Sequence, residues 1–162
     1  MHPNAQLLER LYTCLAARDG DGMAECYADD ATFHDIAFDL KGKHRIHAMW
    51  DMVCHAEGFK AKFTVLDADD MHGTAEVVDD YFYHNKSDRS DRRRPVHNVI
   101  RSEFQFKSGL IIQHEDTCDP RKWGWQALGL VKGTLTWLFP PLLKSKAKKK
   151  LDAFIDEHRV YP

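Results

Sequence analysis

The sequence has no apolar run approaching the roughly 20 residues needed to span a bilayer, so a membrane-spanning protein is not expected. Met1 to Gln6 hold no basic segment leading into an apolar stretch, which argues against a secretory leader. Net charge is nearly absent: 23 Lys and Arg against 25 Asp and Glu leave -2, and no global field draws the chain onto nucleic acid or a charged bilayer. The 4 cysteines, Cys14, Cys26, Cys54 and Cys118, are scattered without a C-x-x-C pair, and 162 residues need no covalent staples. They are expected to be reduced, in a cytoplasmic protein. Internal repeats and low-complexity linkers are missing, apart from the charge run Lys144 to Lys150.

What is there is a 43% hydrophobic chain with 11% aromatics, enough to bury one core. Leu7, Leu8, Leu11, Leu15 and Ala16 recur at helical spacing up to a stop at Arg18-Asp19-Gly20. Asp21 is expected to cap a second, short helix running through Met23, Ala24 and Tyr27, followed by a strand from Ala31 to Asp35. Gly42 opens a third helix with Ile46, Met49, Trp50 and Val53 on one face, ending near Gly58. From Phe59 the period becomes two, giving four strands around Phe63 and Val65, then Val77, Tyr81 and Tyr83, then Ile100, Phe104 and Phe106, then Leu110 and Ile112. Hairpin turns are expected at Met71-His72-Gly73-Thr74 and Lys107-Ser108-Gly109, and a long exposed loop from Asn85 to Arg94. Helices followed by an antiparallel meander define an α+β class. Residues 121–162 read as a helical extension packed on the 1–120 body. Its basic amphipathic helix, Leu142 to His158, carries Leu142, Leu143, Ala147, Leu151, Phe154 and Ile155 as a buried stripe and its lysines as the solvated face. Packing is expected in preference to membrane anchoring through Trp137-Leu138-Phe139.

The stretch from Leu15 through Arg18-Asp19-Gly20 and Tyr27-Ala-Asp-Asp-Ala-Thr-Phe-His-Asp35 resembles the opening of the nuclear transport factor 2-like (NTF2-like) superfamily, which includes SnoaL-like and ketosteroid isomerase-like proteins. Gly42 to Trp50 resembles the helix that follows, and Gly109 to Asp119 the last long strand. The resemblance implies a cystatin-like cone, a curved antiparallel sheet wrapped around N-terminal helices, with the extension resembling that of a bacterial subgroup. It also implies a pocket for a small hydrophobic molecule, a homodimer paired through the open sheet face, and no nucleic-acid partner. No cofactor is implied.

Asp35 stands where the isomerases carry their general base, and a carboxylate among apolar groups gains proton affinity. The alternative is an Asp that caps the turn into Ile36-Ala37. Alignment puts Leu11 at the isomerases' oxyanion-hole tyrosine, with Tyr12 turned to another face, and Ser102 at their neutral carboxylic acid. Asp116 falls on the strand where SnoaL-type cyclases and epoxide hydrolases of this fold carry an acidic catalytic residue. A period of two puts Ile112, His114, Asp116 and Cys118 on one face, making His114 and Asp116 a candidate acid/base pair. The hydrolases also need an Arg and a second Asp on a neighbouring strand; Val77-Val78-Asp79-Asp80 offers carboxylates without that Arg, and Arg101 faces away by parity. Tyr27, Trp50, Ser102, Phe104, Cys118 and Trp123 are the expected ligand contacts. His44-x-x-His47 is the only close helical histidine pair and lacks a third ligand, so no metal is expected. Two functions remain open: acid/base chemistry on a small carbonyl, epoxide or polyketide-like molecule, or non-catalytic binding of a ligand or protein.

Overall fold

Leu8, Leu11, Tyr12 and Leu15 share one helical face, and α1 (Pro3–Ala17) buries all four in the computed structural model, which describes residues 1–84, 93–130, 132–134 and 140–158. Asp19 caps α2 (Gly20–Ala24) by accepting from the Gly22 N–H at 2.9 Å. This corrects the expected cap: Asp21 lies inside the helix, and its carboxylate sits 2.7 Å from Nε2 of His47. Tyr27 is not helical either. It opens β1 (Tyr27–His34), because pairing with Ile111 on the last strand overrides a local spacing that fits a helix equally well.

A short strand, β2 (Asp39–Lys41), pairs with the end of β1 and was not anticipated; three residues show no resolvable period. Gly42, at φ 94°, turns the chain into α3 (Lys43–Cys54). That helix stops short of Gly58. Arg18 takes the carbonyls of Cys54 and Ala56 at 2.6 and 2.8 Å, so its guanidinium holds the helix end.

The remaining strands are β3 (Lys60–Ala68), β4 (His72–His84), β5 (Arg93–Lys107) and β6 (Leu110–Thr117). Sheet order is β2-β1-β6-β5-β4-β3, and the β1–β6 pair is parallel while the other neighbours are antiparallel. This is the expected α+β cone, with α1 to α3 packed into the concave face over Val77, Phe104, Phe106 and Ile111.

The β3–β4 turn comes earlier than expected. Asp69 accepts from the N–H groups of Met71 and His72 at 2.7 and 2.6 Å, and Gly73 is already in β4, opposite Phe104. A Cβ on Gly73 would lie 2.8 Å from Phe106 Cζ and 3.0 Å from Leu8 Cδ1. Gly73→Ala is therefore expected to cost about 1–3 kcal/mol by overpacking, read as a lower urea midpoint. The β5–β6 turn falls as expected, with Ser108 and Gly109 both at positive φ, 53° and 76°.

A bulge interrupts β6. Gln105 pairs with Gln113 but Phe106 pairs with Ile111, so Ile112 is the extra residue. Ile111 consequently fills the core in place of Ile112, while His114 and Asp116 keep their shared parity. Of the expected loop Asn85 to Arg94, residues 85–92 lie outside the described residues; Arg93 and Arg94 belong to β5, paired with His84 and Tyr83. Trp137, Leu138 and Phe139, the segment of the less favoured membrane-anchor alternative, lie outside them as well.

Asp119 caps α4 (Pro120–Leu128), whose Trp123 and Ala127 pack on Val96 of β5. The last helix, α5 (Pro140–His158), docks on α3. Leu151 is fully buried, and Asp152 bridges Arg45 at 2.8 Å. Leu142, expected in the buried stripe, is 47% exposed because it precedes the docked turns. Among the described residues no helix is long and apolar enough to cross a membrane.

Candidate active site

A cavity of about 490 Å³ opens between α3, α4, α5, the cavity-facing side of β4 to β6, and the turn after β1. Asp35 shapes that turn: its Oδ1 accepts from the N–H groups of Ala37 at 2.7 Å and Phe38 at 2.5 Å. The same side chain lines the cavity. Burial pushes its carboxyl up to about 6, with the charge of Asp116 acting in the same direction and the two backbone donors opposing. Asp35 is thus a turn-former and a cavity residue together.

Two further carboxyls reach the cavity from the sheet. Alternation along β4 sends Gly73, Ala75, Val77 and Asp79 inward, leaving Asp79 8% exposed. Its Oδ1 has no hydrogen-bond partner among the described residues. Burial, then the charges of Asp116 and Asp80, push this carboxyl up to about 7. Asp116, from β6, is differently placed. Its Oδ1 lies 2.8 Å from His114 Nε2 and accepts from Ser102 Oγ–H at 2.5 Å.

Behind Asp116 runs a buried polar chain. Trp50 Nε1–H donates to the Tyr27 hydroxyl at 3.0 Å, and that oxygen is 2.7 Å from His114 Nδ1. Donor chemistry places the protons. An indole can only donate, so it occupies a lone pair of Tyr27, whose one hydrogen goes to Nδ1, leaving the imidazole proton on Nε2 to face Asp116. The other tautomer would strand the Tyr27 hydrogen where Tyr27 and His114 are both fully buried. Burial also raises the Tyr27 phenol well above its ordinary range, so it stays a neutral donor. Phe104, with its centroid 4.2 Å from the imidazole, and the edge of Phe33 hold the His114 ring. Tyr27→Phe leaves Trp50 N–H and His114 Nδ1 unpaired, and is expected to destabilise by about 1–3 kcal/mol for each group. A urea midpoint equal to wild type would contradict this chain.

Of the residues expected from the sequence, Asp35, Trp50, Asp116, Cys118 and Trp123 line the cavity. His114, Tyr27, Ser102 and Phe104 do not. They sit behind its wall, because Tyr12 of α1, stacked on Phe63 and edge-on to Phe104, fills that end of the cone. Tyr12 itself was expected to turn elsewhere. It is buried toward the site, and burial with the charge of Asp116 raises its phenol well above the usual range. Arg101 is exposed on the opposite face. Burial pushes the Cys118 thiol up to about 11, which keeps it neutral rather than nucleophilic. Among the described residues no three metal-ligating side chains converge. Trp123 packs as wall rather than plug, its Nε1–H donating to Tyr81 at 2.8 Å. Asn98, Lys146 and Lys150 were not singled out from the sequence; Asp79 was one of the carboxylates offered by Val77-Val78-Asp79-Asp80, and its parity with Val77 and Tyr81 turns it inward.

Residues 8–114 match the SnoaL-like domain family, and the chain belongs to it. Among solved structures, a candidate polyketide cyclase from Silicibacter sp. TM1040 is similar with TM-score 0.65 and 20% identity, over 76% of this chain and 93% of that one. An LEH-like epoxide hydrolase from M. tuberculosis is similar with TM-score 0.60 and 18% identity, over 85% and 96%. A protein of ketosteroid isomerase-like fold from Catenulispora acidiphila, in complex with trimethylamine, gives TM-score 0.61 and 16% identity, over 78% and 94%. At these identities the likeness establishes the shared fold alone. No curated protein matches the sequence significantly.

Proposed function

We propose that the protein is an acid/base enzyme that moves a proton next to the carbonyl of a small, largely hydrophobic molecule, in an isomerase- or cyclase-like reaction. The observation that carries this reading is one cavity faced by two carboxyls in contrasting surroundings. Asp116 accepts hydrogen bonds from Ser102 and His114, whereas Asp79 sits in an apolar wall that favours its protonated form near neutral pH. Environments that separate two carboxyls in this way assign one as base and the other as acid.

In this mechanism Asp116 takes the proton α to the carbonyl, and the Asp79 O–H donates to the oxygen on which negative charge develops. His114 positions Asp116 through its Nε2–H, and the chain back to Trp50 fixes the imidazole. Phe33, Trp50, Ile100 and Trp123 supply the apolar wall. The isomerases' neutral acid, which alignment seeks at Ser102, has its functional counterpart one strand over. Epoxide opening is less well supported, since Val77 and Tyr81, not an Arg, flank Asp79 on the inward face of β4.

The test is solvent deuterium exchange. The protein is incubated in D2O with a panel of hydrophobic cyclic ketones, and loss of α-protons is followed by proton NMR. Exchange above the buffer rate is expected, declining as pH rises through about 7, where Asp79 loses the proton it must donate. Ketones that bind without any enhanced exchange would instead make this a non-catalytic binding module.

A further inference from the structure

Asn98 lines the cavity directly across the sheet from Asp79. Alternation along β5 turns Val96, Asn98, Ile100 and Ser102 to the concave side, and His97 and Val99 to the other. Register makes Asn98 the partner of Asp79, and residues paired in this way carry their Cβ atoms about 4.5–5.5 Å apart. The next pair shows that reach on the opposite face, where His97 Nδ1 lies 2.8 Å from Asp80 Oδ1. Asp79 and Asn98 are not joined likewise: Asp79 Oδ1 has no hydrogen-bond partner among the described residues. Both side chains are presented to the cavity instead.

The backbone beside Asn98 is fixed by a second element. β6 ends at Thr117, opposite Arg101, so among the described residues the part of β5 before Arg101 has no strand partner on that edge. Gln126 of α4 takes the place of one: its Oε1 accepts from the His97 N–H at 2.5 Å, and its Nε2 donates to the His97 carbonyl at 3.3 Å. The Asn98 amide is therefore carried on a held stretch of chain. Burial raises the Cys118 thiol, and a hydrogen bond from Asn98 opposes that rise, so the amide faces this sulfur on one side. A primary amide has two N–H hydrogens, and a single thiol takes one of them. The other is left for a ligand.

We infer that Asp79 and Asn98 together form a two-donor site for one carbonyl oxygen, and that the group bound there is an uncharged carbonyl rather than a carboxylate. This rests on the preceding reading, adds a residue to its machinery and narrows its substrate class. The Asp79 O–H and the Asn98 Nδ2–H are neutral donors on adjacent strands, matched to the two lone pairs of a carbonyl oxygen. As Asp116 takes the α-proton, the electron pair of the broken C–H bond moves toward the carbonyl and charge grows on its oxygen. Both hydrogen bonds strengthen in that transition state, which is how a donor pair accelerates such a step. A carboxylate in the same place would bring a second anion close to Asp116, whose charge already acts on Asp79.

The test uses 1-tetralone carrying carbon-13 at its carbonyl, with wild type, Asn98→Leu and Asn98→Ala. Leucine keeps the bulk of the amide without its donors, and alanine guards against a variant that overpacks and fails to fold. Infrared difference spectra read the carbonyl stretch of the bound ketone, and proton NMR in D2O reads α-exchange. The stretch is expected at lower frequency in wild type than in either variant, because a donor polarises the carbonyl it binds. Exchange is expected to fall by about 10²–10³-fold in both variants, in kcat rather than KM, the usual loss for one such donor. A carbonyl band that neither substitution moves would overturn the site even if exchange slowed, since a merely structural role lowers the rate and leaves the band in place. Failure of wild type to bind the ketone would overturn it as well. A band that depends on Asn98 in a protein that exchanges no α-protons would uphold the site and sink the proton-transfer reading, whereas wild-type exchange with an unmoved band would do the reverse.

Discussion

Asp116→Asn is expected to lower the enzyme-dependent exchange of ketone α-protons by roughly 10²–10⁴-fold, the usual contribution of a positioned general base. The substitution is well controlled. An Asn carbonyl oxygen still accepts from Ser102 Oγ–H and His114 Nε2–H, so the polar chain and the wall behind it survive. What is lost is basicity. Binding of the ketone should therefore persist while the rate of exchange falls, a change in kcat rather than KM. Loss of the Asp116 charge also removes one of the influences raising Asp79 and Asp35, so both carboxyls should titrate lower in this variant. Exchange at the wild-type rate would exclude Asp116 from proton transfer.

Asp79→Asn is expected to raise stability at alkaline pH while lowering activity. Its carboxyl stands at about 7 in the folded protein against an ordinary 3.8, so the folded chain binds its proton more tightly than the unfolded chain does. Stability from this group is complete below about pH 4 and is lost as pH rises through about 7. The shift corresponds to roughly 4 kcal/mol at most, on the order-of-magnitude scale of 1.36 kcal/mol per unit. Asn carries no charge to bury. Urea denaturation should consequently find the variant about 2–4 kcal/mol more stable than wild type at pH 8.5 and nearly equal to it at pH 4. Asp35 adds a smaller dependence of the same sign in both proteins. A difference between the two proteins that does not change with pH would show that Asp79 ionises normally.

The fold was legible where side chains repeat long enough to set a phase. Leu8, Leu11 and Leu15 define α1, and Ile46, Met49 and Trp50 define α3, since each set needs only local geometry. Tyr27 was misplaced because its spacing from Met23 and Ala24 suits a helix, whereas its strand depends on Ile111, far along the chain. The bulge at Ile112 is likewise a tertiary event. Asp35, His114 and Asp116 were readable as candidates because motif and parity bring them forward, but parity cannot say which inward residues meet open space. That is why Ser102 and Phe104, inward-facing as expected, lie against α1 instead of the cavity. The lysines of α5 were read as a solvated face. The helical wheel already placed Lys146 and Lys150 beside Leu143 and Ala147; only the docking of α5 against α3 gives that face a cavity to line.

The central claim is that Asp79 keeps its proton near neutrality while sharing a cavity with Asp116. Carbon-13 NMR titration of the aspartate carboxyls measures this directly. The account predicts one resonance titrating near pH 7 that vanishes in Asp79→Asn and moves to lower pH in Asp116→Asn. Retention of that near-neutral resonance in Asp79→Asn, or titration of every aspartate in the ordinary acidic range, would contradict it.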